Sequence, residues 1–488
     1  MDGGLDAKMV FKDALTLDVT VNPDFNQVES DSPQITANQR FEVFFPEKRP
    51  FFLENADFFS TLTNLVFTRR IADPQFGARV TGKLGPYAVG GMFIDDQSPG
   101  RRVLPGHPLH GTRARFGIFR VSRDIGAHST VGAIFTAREF EGSYNRVGGA
   151  DFRWRLGRNW TVEGQAVTSA TRFVDGTTLD GPAYAARVRR SGRQLRLAAR
   201  YDDLGDGFVT QTGFVNRVGL RRVTHEGEYV FRPEGKVLIA WGPWWTQSGT
   251  WDRGGTRLDY LFNQGIGADL VGQTRLAFWA EAEGTRLRPQ DIPGLPGNRD
   301  FSTVPLAVHA SSSFFPNMRF SAQVRWGNGV NFEPPAGQEP YLADQVTGNL
   351  SLTLRLLRPL RVRNSYLLFR QTDRQSGVNV INNHVFRSAW NWQFTQALSV
   401  RLILQYDSLI ANPLRTRLET SKNFNGDFLV TYQVNPWTAF YAGYNSNLRN
   451  IDLLADPMAG TTTVVRTPRG FINDGRQIFV KFSYLLRY

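Results

Sequence analysis

The segment "QIFVKFSYLLRY", residues 477–488, alternates between two kinds of side chain. Successive side chains of a β-strand point to opposite faces, so this alternation predicts a strand. One predicted face is wholly apolar and consists of Ile478, Val480, Phe482, Tyr484, Leu486 and Tyr488. The other face carries Gln477, Lys481, Ser483 and Arg487. A strand with one apolar face must cover that face with a protein core or with lipid.

The same alternation recurs along the chain. Leu398, Val400, Leu402 and Leu404 form an apolar row, and Ser399, Arg401 and Gln405 form the polar row opposite. Such segments run for about 9–12 residues, the length that a tilted strand needs to cross the hydrocarbon core of a bilayer. An ordinary antiparallel sheet in a sandwich or propeller would alternate in the same way.

The breaks between the segments distinguish these alternatives. Tight turns at 85–86, 157–159, 191–193 and 358–359 alternate with long polar loops such as 96–112, 285–302 and 448–475. Short turns on one side and long loops on the other are typical of outer-membrane barrels. We therefore predict an all-β protein, a transmembrane antiparallel β-barrel of about 22 strands (20–24), with both termini periplasmic. Phe482, Tyr484, Leu486 and Tyr488 then resemble the terminal signal recognised by the barrel-assembly machinery.

The composition agrees with a barrel and excludes several other classes. The 488-residue chain contains no cysteine, and no linker divides it into domains. No apolar run approaches the ~18 residues that a membrane-spanning helix needs. The net charge of +13 comes from basic residues interleaved singly with apolar ones, so nucleic acid is not expected as a partner. The first residues lack a signal-peptide pattern, so we expect a mature form or a fragment.

Residues 22–75 are predicted to be an insert between the first and second strands. They contain "FEVFFPEKRPFFLENADFF" (41–59), which has neither a helical nor a strand period. A barrel of this size has a lumen too wide for its own side chains to fill. We expect the insert to be a plug or lid in the barrel, because an exposed surface loop would leave too many Phe residues in water. Its expected residues are Phe44, Phe45, Glu47, Lys48, Arg49, Phe51, Phe52 and Glu54. Lys48 and Arg49 are expected to pair with wall carboxylates such as Glu163, Glu281, Glu283 or Asp407.

The start of the chain resembles a known family. "LTLDVTVNPDFNQVESD" (15–31), the Phe-rich stretch and "FTRRI" (67–71) are similar to the opening of domain-of-unknown-function family 5916. That barrel domain follows a carbohydrate-binding module of family 9 in many Gram-negative envelope proteins. The resemblance implies a fold and an envelope location but no activity, and no such module precedes Leu5 in this sequence.

Catalytic and metal-binding patterns are weak. His107 and His110 are close in sequence but lie in a Pro-rich loop without nearby carboxylates. The stretch "DDLGDG" (202–207) lacks the spacing and the terminal Glu of a calcium loop. No nucleophile elbow occurs either. We expect no enzyme, no cofactor, no metal and no catalytic residues.

Two functions remain open. The barrel is expected to be a gated or plugged channel for polar solutes, anionic or carbohydrate-derived, in contact with outer-membrane lipid and lipopolysaccharide. The inward row supplies the basic residues for this role: Arg153, Arg155, Arg196, Arg200, Arg319, Arg325, Arg355 and Arg401. The alternative is a closed outer-membrane anchor or secretion-type scaffold that presents loops or a carbohydrate-binding module.

Overall fold

The computed structural model describes residues 4–12, 14–23, 25, 28–292, 294–435, 438–456, 461–466 and 470–484. Within these residues, twenty-four strands form one sheet, and two further strands form a separate hairpin. All pairings in the sheet are antiparallel and follow the order of the chain. The sheet is thus the up-and-down wall of a large barrel, which confirms the predicted fold class.

Alternating side chains and short connections produce strands that are mostly 10–15 residues long. Their bounds are β1 Leu5–Phe11, β2 Leu15–Val21, β3 Pro74–Leu84, β4 Tyr87–Asp96, β5 Ala114–Ile125, β6 Ser129–Phe140, β7 Ser143–Leu156, β8 Trp160–Arg172, β9 Thr178–Ser191, β10 Leu195–Leu204, β11 Leu220–Tyr229, β12 Leu238–Asp252, β13 Arg257–Leu270, β14 Thr274–Leu287, β15 Arg299–Thr303, β16 Leu306–Ser312, β17 Met318–Asn331, β18 Tyr341–Leu357, β19 Leu360–Asp373, β20 Asn379–Gln393, β21 Leu398–Ala411, β22 Ser421–Asn435, β23 Thr438–Arg449, β24 Ile451–Asp456, β25 Thr461–Arg466 and β26 Ile472–Tyr484. Helices α1 (Pro50–Leu53) and α2 (Ser98–Arg101) and the 3₁₀ turns Ala56–Phe59 and Thr68–Arg70 are short. Among the described residues, no helix is both long and apolar enough to span a membrane.

The strand count agrees with the predicted 22 once β15 and β16 are counted as one position and β1 is counted separately. β15 and β16 pair with different halves of β14, so they occupy one position in the wall. A break at residues 304–305, which contains a proline, separates them, and proline cannot donate to a sheet ladder. The positions from β2 to β26 number 22, and β1 is an additional strand paired with β2.

This additional strand changes the position of the chain ends. β1 pairs along one edge with β2, and β26 pairs along one edge with β23, but no ladder joins β1 to β26 within the described part of the chain. With an odd number of positions, β1 and β26 run in the same direction, so Leu5 and Tyr484 lie at opposite ends of the wall. This arrangement differs from the expectation that both termini lie at the same end, because that expectation did not include β1.

The wall has two distinct ends and two distinct faces. Connections such as 85–86, 157–159 and 358–359 define the short-turn end, whereas 205–219, 288–298 and the insert define the long-loop end. The insert spans 22–73 rather than the expected 22–75, because β3 begins at Pro74. The outer face exposes an apolar band that includes Phe119, Phe135, Phe262, Phe278, Val324, Phe386 and Phe428. The inner face is the one that contacts the insert.

Candidate functional site

The Phe-rich part of the insert packs against the inner face of the wall. Pro50 occupies the first turn of α1, where its fixed φ is favourable. Phe52, which is 2% exposed, and Phe59 pack in a cluster with Ile94 and Phe116 of β4 and β5. Leu65 packs in a second cluster, with residues such as Val147 and Leu258. The rings of Phe44, Phe67 and Phe214 contact one another at centroid distances of 5.0–5.2 Å.

Polar contacts extend from the insert to strands on many sides of the wall. In order along the sheet, the insert–wall hydrogen bonds include Asn55 to Thr81 on β3 (2.9 Å), Thr63 N–H to Gln165 on β8 (2.7 Å), Arg200 on β10 to Leu62 O (3.0 Å), Arg40 to Asp259 on β13 (2.7 Å), Asn38 to Val330 O on β17 (2.9 Å), Arg387 on β20 to Ser30 (3.0 Å) and Ser30 to Asp427 on β22 (2.9 Å). The contacts therefore begin near the first strands and end near the last.

Arg79 and Arg387 are central contacts that the sequence analysis did not identify. Arg79, which is 1% exposed, pairs with Asp18 at 2.6 Å and donates to the backbone carbonyls of Phe51 and Glu54. Arg387 donates to Ser30 and to the carbonyl of Asp31. Alternation places both side chains on the inner row, but it does not indicate which backbone carbonyls face them.

Glu47 and Arg49 form a contact inside the insert. Arg49 donates to both carboxylate oxygens of Glu47, at 2.9 and 2.6 Å, and Thr68 donates at 2.7 Å. Burial acts to raise the pKa of Glu47, but the hydrogen bonds and charge of Arg49, with the Thr68 bond, lower this pKa from 4.5 to about 2. Lys48 donates to Ser30 O at 2.7 Å.

The expected pairing of Lys48 and Arg49 with wall carboxylates is therefore wrong. The backbone turn at Glu47 brings its own carboxylate to Arg49, so no wall carboxylate is needed. Among the other expected insert residues, Phe45 and Phe51 are half-buried, and Glu54 pairs with Lys8 and Arg79. Glu163 pairs with Arg187, Glu281 and Glu283 pair with Arg325, and Asp407 accepts from Asn383.

The basic residues of the inward row divide into two groups. The first group lies beside carboxylates. Its ion pairs are Arg153 with Glu163 (3.9 Å), Arg196 with Glu228 (2.6 Å), Arg200 with Asp202 (2.8 Å), and Arg325 with Glu281 (2.7 Å) and Glu283 (2.8 Å). Arg401 also belongs to this group, because Glu29 and Asp427 attract its charge electrostatically. The second group is Arg155, Arg319 and Arg355, which together with Arg361 and Arg363 have no ion pair to a described carboxylate. These five residues lie close to the short turns, and we call them the basic rim.

The remaining sequence candidates have local roles. Phe482 contacts Phe440 at a centroid distance of 4.7 Å, and Tyr484 ends β26; Leu486 and Tyr488 lie outside the described residues. Nδ1 of His107 accepts from Leu109 N–H at 3.1 Å, and Nδ1 of His110 lies 3.0 Å from Val103 O. In the "DDLGDG" stretch, Asp202 and Asp203 bind arginines.

Comparisons with known proteins support the fold. The chain resembles the copper transporter OprC (TM-score 0.54, 11% identity, 84% of this chain and 78% of that chain). It also resembles a mutant of the ferric enterobactin receptor PfeA from Pseudomonas aeruginosa (TM-score 0.53, 10% identity, 86% and 79% covered). At such low identity the likeness shows the fold alone, a large β-barrel of the outer-membrane type. Residues 1–82 match the domain of unknown function DUF5916, which confirms the resemblance over this part of the chain. No curated protein matches.

Proposed function

We propose that this chain is an outer-membrane transport barrel whose lumen is closed by the insert acting as a plug. The observation that carries this proposal is the set of insert–wall bonds that extends from β3 to β22. A surface loop would contact neighbouring strands only. The fold shared with receptors and a copper transporter supports the same reading, with the short-turn end facing the periplasm as in other barrels.

Passage of a polar solute then requires part of the insert to move. Residues 51–71 bury Phe52, Phe59 and Leu65 against the wall. Residues 28–40 contribute the partly buried Ile35 and the buried Ala37, and are otherwise held by polar bonds such as those of Asn38 and Arg387. Polar bonds are exchanged for bonds to water at a net cost of about 1 kcal/mol each. Buried apolar rings have no such replacement in water. We therefore assign the gating movement to residues 28–40.

The basic rim favours anions at the short-turn mouth. Its guanidinium groups have no described carboxylate partner, and a polar channel with low-dielectric walls focuses their potential. The charges nearer the insert are largely neutralised, as in the pair of Arg325 with Glu281. The proposed selectivity therefore arises at one mouth and not along the whole lumen.

Conductance in planar bilayers tests this function. We expect little current through the wild-type protein, and an anion-selective current after deletion of residues 25–72 or in the Arg40→Ala/Arg387→Ala variant. Under a KCl gradient, replacement of Arg355, Arg361 and Arg363 by Gln should reduce the anion preference, and salt near 1 M should weaken it because screening then acts over ~3 Å. Cation preference, or no open state in either opened variant, would favour the closed anchor or secretion-type scaffold instead.

A further inference from the structure

A cavity of about 280 Å³ lies between the insert and the inner wall near the long-loop end. Its lining combines the rings of Phe301, Phe332 and Phe369 with the amides of Asn38, Gln39 and Gln345. The volume lies close to the lower end of the range for small-molecule sites, ~300 Å³. Two of these residues come from the insert and four from the wall region between β15 and β19, so both parts of the chain form the cavity.

The polar groups of this cavity are held in place before any ligand binds. Asn38 donates to Val330 O at 2.9 Å and accepts from Phe332 N–H at 2.7 Å. Gln345 accepts from Gln371 at 3.0 Å, which leaves its NH₂ group as a donor. A Cβ at Gly329 would lie 2.2 Å from Oε1 of Gln345, so the space for this amide depends on the glycine.

The charges of the cavity argue against an anion. Arg325 is bound to two carboxylates, those of Glu281 at 2.7 Å and Glu283 at 2.8 Å, and Thr303 donates to Glu283 at 3.3 Å. The two carboxylates neutralise the single guanidinium, so no positive charge is left to attract an anionic ligand. The cavity therefore differs from the basic rim, which lies at the other end of the wall.

We propose that this cavity binds a neutral sugar unit. Aromatic faces cover the apolar C–H faces of a sugar ring, and fixed amides and carboxylates bind its hydroxyls as donors and acceptors. The proposal rests on the proposed transport function, since it names a solute class that the long-loop end would capture before the plug moves. It goes further in assigning Gln345 and Phe301 as ligand contacts.

Calorimetric titration of the full-length protein in detergent with glucose, galactose and maltose tests the proposal. Glucuronate and glucosamine serve as the charged counterparts. We expect at least one neutral sugar to bind, and to bind about tenfold more weakly to Gln345→Ala and Phe301→Ala, because each loses one direct contact. Ser351→Ala is the matched control, since it alters the same face of β18 outside the cavity and should bind as the wild type does. Heat-modifiable gel mobility verifies that each variant is folded.

Tighter binding of glucuronate or glucosamine, no binding of any neutral sugar, or unchanged binding by both cavity variants would overturn the proposal. Failure of the transport function gives a different result. If the opened variants carry no current but the sugar still binds, the site stands and the channel does not. If they carry current and no neutral sugar binds, only the site is refuted.

Discussion

Replacement of Arg79 by methionine should destabilise the barrel and release the insert at the same time. Arg79 on β3 lies directly opposite Asp18 on β2, with 2.6 Å between the guanidinium and the carboxylate. It is 1% exposed and also donates to the carbonyls of Phe51 and Glu54. Methionine has a similar length but provides no donor, so Asp18 would remain as a buried charge without this partner.

The magnitude follows from the burial of the pair. Removal of one partner of a buried ion pair typically costs ~3–5 kcal/mol, most of it from the uncompensated charge that remains. The two carbonyls also lose a donor, at about 1–3 kcal/mol each where water cannot replace it. Since Lys8 lies 3.9 Å from Asp18 and partly compensates its charge, we expect a total loss of at least about 3 kcal/mol.

Urea unfolding in lipid vesicles, followed by tryptophan fluorescence, measures this loss, and limited proteolysis within 41–59 reports on the insert. The Arg79→Met/Asp18→Asn double variant leaves neither charge and should recover at least 1 kcal/mol relative to Arg79→Met alone. Arg361→Met is the matched control on the inner face. Arg361 is exposed and has no ion pair to a described carboxylate, so its replacement should change stability by less than about 0.5 kcal/mol. A loss below 1 kcal/mol for Arg79→Met with an uncleaved insert would refute the reasoning.

Three further predictions concern the outer face, the insert and the sheet edges. Leu402→Arg, which places a charge on the outer face opposite Trp390, should cost ~2–4 kcal/mol in vesicle unfolding titrations, and a negligible cost would mean that the face is not in lipid. The folded-state pKa of Glu47 is lowered to about 2, so its ionised form stabilises the insert above its ordinary pKa of 4.5 and this contribution disappears as pH falls through about 2. Pepsin should therefore cleave the insert slowly at pH 4 and faster near pH 2, with this difference reduced in Glu47→Gln; equal rates at both pH values would contradict it. Since the chain has no cysteine, paired substitutions form only the intended disulfide. Ala442→Cys/Val480→Cys, on partnered positions of β23 and β26, should oxidise readily. Met9→Cys/Val480→Cys should not, and a disulfide there would show that β1 and β26 are adjacent.

The exposure of β26 supports the expectation that the Met9→Cys/Val480→Cys pair does not oxidise. Ile478 and Val480 are 80% and 79% exposed, whereas Phe440 on the neighbouring β23 is 45% exposed. A strand with a neighbour on each side has its side chains flanked by both, so the higher exposure of β26 agrees with a single ladder, to β23, among the described residues.

The sequence by itself determined the wall of the barrel. Because side chains on a strand alternate with a period of two, the rows of Leu398 to Leu404 and of Ile478 to Tyr484 predict strands and their apolar faces without any knowledge of neighbours. Turn lengths then predicted which connections lie at the same end. Strand β1 was not predicted, although Leu5, Ala7 and Met9 alternate with Asp6 and Lys8, and its pairing with β2 depends on a register that only the folded hairpin defines.

Only the tertiary structure decided the contacts of the interior. The Phe content of residues 41–59 predicted that they avoid water, but the partners of Arg49, Arg79 and Arg387 lie in segments distant in sequence or in the turn of the insert itself. The cavity between Asn38 and Gln345 likewise joins residues separated by most of the chain. Alternation fixes the face on which a side chain lies, because that property is local to one strand. It does not fix what the side chain meets across a lumen, because that depends on how the insert folds and on how the strands bring distant residues together.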